Sequence, residues 1–236
     1  MKNLIFKEDF KNQTELNLNN WNIIDSGGGF GNKELQYYRN NIENLYFENG
    51  ALHLKAILKD HLDHQYTSAK ITTKNKVSFK YGHFIINMKL PKGIGSWPAL
   101  WFLGNNGNGW PKCGEIDLME HLGRLENNVH FSLHSKNYNH LKGNNIHFHQ
   151  YIDGLTDDYH KYEMKWTKEG FSFYVDNKLL TTINKEPNYT KDDWPFDDYF
   201  YLIINLAVGG NWGGEVKEDD LPFTFSIKSI EVYELE

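Results

Sequence analysis

The sequence predicts an all-β fold, a β-sandwich or jelly roll made of many short strands. Apolar and polar residues alternate in several short segments, and clusters of Gly, Asn and Asp separate these segments. No long stretch shows the 3.6-residue period of an amphipathic helix. The 236 residues contain no internal repeat and no linker-like run, so we predict one domain spanning residues 1–236.

Four segments carry the strand prediction. The first places apolar residues at every second position from Leu52 to Leu58, and the second alternates in the same way. The third is almost entirely apolar, as in a strand that is buried on both faces. The fourth changes its parity after Ile227, which predicts an irregular strand. These segments are ALHLKAIL (51–58), GFSFYVD (170–176), YLIINLAV (201–208) and FSIKSIEVYE (225–234).

Charge, apolar runs and cysteine content exclude several classes of protein. The net charge is −6 and no basic run is present, which excludes a nucleic-acid partner. The longest apolar runs are far shorter than the roughly 20 residues of a membrane-spanning helix. Cys113 has no second cysteine for a disulfide. The apolar run of residues 4–6 is too short for a signal peptide, so the protein stays inside the cell or the sequence begins after a removed signal.

The stretch GWPKCGEIDLMEHLGR (109–124) places three carboxylates, Glu115, Asp117 and Glu120, among apolar residues. In a helix, Glu115 and Glu120 would point about 140° apart. In a strand, Glu115 and Asp117 share a face, but strict alternation would turn Glu120 into the core, where a bare carboxylate is costly. One β-bulge near Met119 would return Glu120 to the acid face. We therefore predict a bulged strand with three acids on one face.

Such a row of acids has a chemical use. A retaining glycosidase needs one carboxylate as nucleophile and one carboxylic acid as proton donor, about 5–5.5 Å apart. A like charge from Asp117, between the two glutamates, would raise the pKa of a neighbouring acid and keep it protonated near neutral pH. The spacing alone leaves two alternatives open, a solvated acidic edge and an acidic metal site.

The acid motif, Glu-Ile-Asp-Leu-Met-Glu, resembles the signature of glycoside hydrolase family 16 in the form found in laminarinases (endo-1,3-β-glucanases), which includes the additional residue Met119. Four further segments resemble laminarinases in the family's order. The five segments are GNKELQYY (31–38), YGHFIINMKLPKGIGSWPALWFLG (81–104), GWPKCGEIDLMEHLG (109–123), YHKYEMKWTKEGFSFYVDNK (159–178) and WPFDDYFYLIINLAVGGNWGG (194–214).

The resemblance implies a fold and a set of catalytic roles. The fold is a jelly-roll sandwich of two curved antiparallel sheets with an open cleft across the concave face. Glu115 would be the nucleophile, Glu120 the general acid and base, and Asp117 would hold and tune Glu115. His134 matches a family histidine near the acid/base, and an ordinary polar strand residue is the alternative interpretation.

The resemblance also implies sugar-binding residues. Trp97, Trp101 and Trp110 match tryptophans that line the glucose subsites, because the apolar face of a pyranose stacks on an indole ring. A role in the core is the alternative for each of them. Trp212 and Asn32 are further candidates for substrate binding.

Three features depart from the family pattern. Lys70 replaces an arginine, and His83, Ile85 and Asn87 occupy a segment in which Arg and Glu are usual, so we expect altered sugar contacts or altered salt bridges on the cleft floor. Many members hold a structural calcium ion on the convex side, using backbone carbonyls and an aspartate of the last strand. That aspartate is Lys228 here, and a cation opposes calcium binding. We therefore predict no metal and no other cofactor.

The sequence thus predicts a retaining endo-β-1,3-glucanase whose partner is a β-glucan polysaccharide or oligosaccharide. The alternatives are action on another β-glycan, such as a mixed-linkage glucan, agar or carrageenan, transglycosylation, and glucan binding without turnover. We expect a monomer, secreted or periplasmic because the substrate is a polymer, with a cytoplasmic location as the alternative. His147 and His149 share a strand face and suit a metal, but without an evident third ligand we interpret them as solvated strand residues.

Overall fold

The computed structural model describes residues 3–235, and most of this part of the chain is folded into strands and the turns between them. No helix in it is long and apolar enough to cross a lipid bilayer. The described residues form seventeen strands. They are β1 (Leu4–Asp9), β2 (Asn22–Ile23), β3 (Gln36–Tyr38), β4 (Leu45–Glu48), β5 (Ala51–His61), β6 (His64–Ser68), β7 (Lys70–Thr72), β8 (Gly82–Lys89), β9 (Ser96–Gly104), β10 (Glu115–His121), β11 (Asn128–His134), β12 (Ile146–Tyr151), β13 (His160–Trp166), β14 (Gly170–Val175), β15 (Lys178–Asn184), β16 (Phe200–Val208) and β17 (Phe223–Tyr233).

The helical segments are single turns between strands. One is an α-helical turn, α1 (Gly210–Gly213), which carries Trp212. The others are 3₁₀ turns at Phe10–Asn12, Gly29–Gly31, Gly123–Leu125, His140–Lys142 and Glu218–Asp220.

Two sheets contain all these strands. The seven-stranded sheet has the order β12-β11-β10-β9-β16-β7-β2. The ten-stranded sheet has the order β15-β14-β13-β8-β17-β5-β6-β3, with β1 paired to β17 and β4 paired to β5. Every pairing is antiparallel except that of β3 with β6. The predicted all-β sandwich is confirmed, and the strand β10 with its three acids lies within the seven-stranded sheet.

The strand predictions from apolar pattern are largely confirmed. β16 is buried along its whole length, as a continuous apolar run requires. The parity change in β17 is a register shift between Ile227 and Ser229 against β8. Leu58 is an exception: its side chain is 51% exposed near the end of β5, beyond the segment that the core covers.

Aromatic side chains join the two sheets. Phe84 of β8 and Phe102 of β9 pack edge to face with ring centroids 5.1 Å apart. Phe131 of β11 and Phe173 of β14 make a second contact at 4.9 Å. Such contacts contribute beyond the burial of area itself. One face of the seven-stranded sheet is therefore fixed against the core, which leaves its other face for polar side chains.

The predicted bulge in β10 is confirmed. Against β9, Asp117 is paired with Trp101 and Met119 with Leu100, so β10 contains one extra residue at this point. Leu118 and Met119 are both fully buried. Because two consecutive side chains enter the core, the next residue turns outward again.

His121, which follows Glu120, turns into the core, and its burial makes the stability of the fold depend on pH. Its Nδ1 lies 2.9 Å from the carbonyl oxygen of Asn128, whereas its Nε2 is buried without a hydrogen-bond partner. Burial lowers the pKa of His121 to about 4. In the unfolded chain His121 therefore binds a proton below about pH 6.5, whereas in the folded chain it binds one only below about pH 4.

We expect His121 to reduce the free energy of unfolding by roughly 3 kcal/mol as the pH falls from 6.5 to 4. Urea unfolding of the wild type and of His121→Asn at several pH values measures the contribution of His121 to this loss. Asparagine is suitable because it keeps an N–H donor without a titrating ring. The variant should lose less stability over this interval. Parallel stability curves for the two proteins would contradict the assignment.

Candidate active site

A cleft of about 800 Å³ lies on the outer face of the seven-stranded sheet, a volume typical of ligand sites. The residues predicted from the sequence to act on or bind substrate all line it. They are Asn32, Trp97, Trp101, Trp110, Glu115, Asp117, Glu120, His134 and Trp212. Positions far apart in the chain are thereby brought to one surface by β9, β10, β11 and the turn α1.

Glu115, Asp117 and His134 form the first part of the acid cluster. His134 is the cross-strand partner of Glu115. Its Nε2 lies 3.2 Å from Oδ2 of Asp117 and 3.6 Å from Oε1 of Glu115. Asp117 Oδ2 and His134 Nδ1 are buried without a hydrogen-bond partner. The imidazole therefore stands between two carboxyl groups, and its charge acts to lower the pKa of Glu115.

Glu120 occupies a different environment on the far side of the bulge. The indole N–H of Trp97 donates to its Oε1 at 3.1 Å. Trp97 is only 8% exposed and packs with Leu122 and Ala207, while Trp212 lies against its edge. Trp97 therefore orients Glu120 from the wall of the cleft.

Burial raises the pKa of all three carboxyl groups well above its usual range. The charge of Asp117 raises the pKa of both Glu115 and Glu120 further. His134 opposes this effect on both glutamates, and an indole donor also acts on each, from Trp110 on Glu115 and from Trp97 on Glu120. The cluster thus holds protons at a pH where isolated glutamates are ionised, which general acid catalysis requires.

Two further aromatic rings, Trp101 and Trp110, line the cleft with the acids. Trp101 donates its indole N–H to Oδ1 of Asn205 at 2.7 Å, which fixes the ring in the cleft wall. Trp110 packs against His140 with ring centroids 4.9 Å apart. Flat apolar surfaces beside acids suit a sugar, whose ring faces are apolar and whose edges carry hydroxyl groups.

A family model and several known proteins match this chain. The family model described as "Glycosyl hydrolases family 16" matches residues 25–221. The chain belongs to glycosyl hydrolase family 16. This membership confirms the family that the acid motif suggested, and the matched range includes every candidate site residue named above.

Named relatives of this chain include proteins of similar length. A β-glucanase of Rhodothermus marinus is 37% identical over 98% of this chain and 84% of its own. The X-ray structure of the laminarinase from Rhodothermus marinus superposes with a TM-score of 0.95 at 35% identity, covering 100% of this chain and 99% of that one. The laminarinase from Flavobacterium sp. UMI-01 gives a TM-score of 0.90 at 42% identity, with 98% and 100% covered.

Glu34 and Lys70 also belong to the surroundings of the family 16 cleft, and the sequence gave no sign of Glu34. Glu34 lines the cleft, and burial raises its pKa. Lys70 lies with its Nζ 4.6 Å from the ring centroid of Phe30 and 5.3 Å from that of Trp101. Burial lowers the pKa of Lys70, and the charges of Glu34 and Glu115 oppose that shift. The only sequence signal was the replacement of a family arginine by Lys70.

One expectation near the site needs correction. His83, Ile85 and Asn87 lie on β8 of the ten-stranded sheet, and His83 contacts Glu163 at 2.8 Å, so this segment alters neither the sugar contacts nor the cleft floor. Cys113, a buried free cysteine, lies just before β10. Burial raises the pKa of this thiol to about 11, which keeps it neutral and unreactive.

The calcium site of many family 16 members does not fit the residues at the last strand. Lys228 stands on β17 in place of the expected aspartate, and its Nζ lies 3.9 Å from the ring centroid of Tyr159. The ammonium group of Lys228 thus makes a cation–π contact with the ring of Tyr159. A calcium ion requires anionic or carbonyl oxygens, and an ammonium group in that place repels it.

Proposed function

We propose that this chain is a retaining endo-β-1,3-glucanase that hydrolyses β-glucans by double displacement. The observation that carries the proposal is the row of Glu115, Asp117 and Glu120 on one face of β10, set in a cleft with Trp101 and Trp110. The named relatives, a β-glucanase and laminarinases, support a glucan as substrate.

In the first step, the ionised carboxylate of Glu115 attacks the anomeric carbon of the glucose at the scissile bond. Glu120 gives its proton to the leaving oxygen, so that the glycosidic bond breaks as the bond to Glu115 forms. In the second step, Glu120 takes a proton from water, and this water displaces Glu115. Each displacement inverts the anomeric carbon, so the product keeps the β-configuration.

Asp117 and His134 assist Glu115 in this proposal. Both lie against it, with His134 Nε2 between the two carboxyl groups. The imidazole stabilises the negative charge on Glu115 before attack and again when the glycosyl bond to it breaks. Asp117, buried beside both glutamates, raises the pKa of Glu120 and thereby keeps the proton that the leaving oxygen needs.

Product analysis tests the proposed function. The enzyme is incubated with laminarin, lichenan and agarose, and the anomeric configuration of new reducing ends is followed by NMR. We expect β-configured gluco-oligosaccharides from laminarin, released from within the chain. Cleavage of agarose alone would keep the mechanism and change the substrate. Laminarin binding without cleavage would favour a glucan-binding protein, and transfer to added sugar would favour a transglycosylase.

The working environment follows from the substrate. A polymeric substrate favours export, so we propose that the protein acts in the periplasm or outside the cell. We also propose that it acts as a monomer. The net charge of −6 supports the absence of a nucleic-acid partner.

We also propose that this enzyme needs no calcium ion. Adding calcium chloride to EGTA-treated protein should leave its melting temperature unchanged, because Lys228 repels the ion. The variant Lys228→Asp is the matched control and should gain a calcium-dependent rise in melting temperature. A rise of that kind in the wild type would show that calcium binds despite Lys228.

A further inference from the structure

Three histidine side chains meet on the outer face of β11 and β12, beside the cleft. His130 of β11 is the cross-strand partner of His149 of β12, and His147 precedes His149 by two residues, so that it shares its face. One ligating atom of each lies within 4.8 Å of the others. The sequence suggested the pair on β12 but gave no sign of His130, which the strand pairing supplies as a third member.

The separation of two ring nitrogens in this group suits a metal ion. Nitrogens bound to one tetrahedral zinc ion at about 2.0–2.1 Å stand about 3.3 Å from each other. The Nδ1 of His130 and the Nε2 of His147 are 3.3 Å apart. Two ligand positions therefore have the required spacing before any side chain moves. His149 is exposed, and a change of rotamer can bring its ring to the third position.

The protonation state of the group also favours a cation. His130 is 5% exposed. Burial lowers the pKa of His130 to about 3 and lowers the pKa of His147 as well. Both rings are therefore neutral at pH 7 and offer lone pairs without first losing a proton.

Ser132 holds one of the rings in place. Its Oγ lies 2.9 Å from the Nδ1 of His147. In the tautomer in which Nδ1–H donates to this oxygen, the Nε2 is left to face the metal, and outer partners of metal-binding histidines commonly select such a tautomer. The cluster thus has a supporting contact in addition to three possible ligands.

We propose that His130, His147 and His149 bind a divalent transition-metal ion such as Zn²⁺, with water at the fourth position. Three imidazoles select Zn²⁺, Cu²⁺ or Ni²⁺, and they disfavour calcium and magnesium, which need oxygen ligands. The site is separate from the acids, and the inference does not depend on the proposed glucanase activity.

Calorimetric titration of the metal-free full chain with zinc chloride tests the proposal. We expect one ion per chain. His149→Gln should weaken binding by at least about tenfold, since losing a ligand costs no less than losing its outer partner, and Ser132→Ala should weaken it by about 10–100-fold. His160→Gln, a single histidine replacement on the other sheet, is the matched control and should bind as the wild type does.

Two outcomes would overturn the site. One is the absence of zinc binding by the wild-type chain. The other is binding that His149→Gln leaves unchanged while Glu115→Gln abolishes it. That result would place the ion at Glu115, Asp117 and His134, which also bring ligating atoms within 4.8 Å of one another.

Discussion

Glu115→Gln should reduce kcat on laminarin by at least about 10⁴-fold and, at the same time, raise the melting temperature. The loss follows because an amide cannot form the glycosyl-enzyme intermediate. The gain follows from linkage. Burial and the charges of Asp117 and Glu120 raise the pKa of Glu115, so its ionisation destabilises the folded chain as the pH rises above about 4.5. Glutamine removes that cost while nearly preserving the shape.

Chemical rescue separates loss of the nucleophile from a structural defect. With an activated aryl β-glycoside and azide, Glu115→Ala should form an α-glycosyl azide, because azide attacks in place of the missing carboxylate and expels the phenolate. Glu120→Ala, the control, retains its nucleophile and should form the β-glycosyl azide after two inversions. A β-azide from the Glu115 variant would assign the nucleophile elsewhere.

Glu120→Gln should lose most activity on laminarin while keeping much of its first step on an activated aryl glycoside. A good leaving group needs no protonation, whereas a sugar alkoxide does. Burial and Asp117 raise the pKa of Glu120, so the wild type should lose activity on the alkaline side as this group gives up its proton. The variant should lack that alkaline limb. Stopped-flow release of the phenol across a pH series measures both effects.

Trp97→Phe is the matched control that tests whether the pKa of Glu120 sets the alkaline limb. The indole N–H donates to Glu120 and stabilises its ionised form. Phenylalanine removes the donor and keeps an aromatic ring, so the alkaline limb should move to higher pH. An unchanged alkaline limb in both variants would mean that a different group controls it.

Much of the catalytic strand was predictable because alternation is a local property. The spacing of Glu115, Asp117 and Glu120 required a bulge, and the register of β10 against β9 contains it. The parity change after Ile227 likewise appears as a register shift in β17. In both cases a few consecutive residues determine which side chains the core accepts.

Other features depend on which strands become neighbours, and no short pattern reveals this. His130 joins His147 only because β11 pairs with β12. Lys70 reaches Trp101 only because β16 lies between β7 and β9. Leu58 fits the apolar alternation of β5, but this end of the strand extends beyond the core, so the side chain of Leu58 is exposed.

The bulge also determines where this strand can change length. Deleting Met119 would restore plain alternation and leave Glu115, Asp117 and Glu120 outward, with the carboxylates one residue closer together. Deleting Ile116 would instead turn Asp117 toward the core, where its charge could not stay. A single-residue deletion at Met119, after Asp117, is therefore compatible with the outward row of acids, whereas a deletion at Ile116, before Asp117, is not. The bulge is thus the position in β10 at which a change of strand length alters the spacing of the acids and keeps all three on the cleft face.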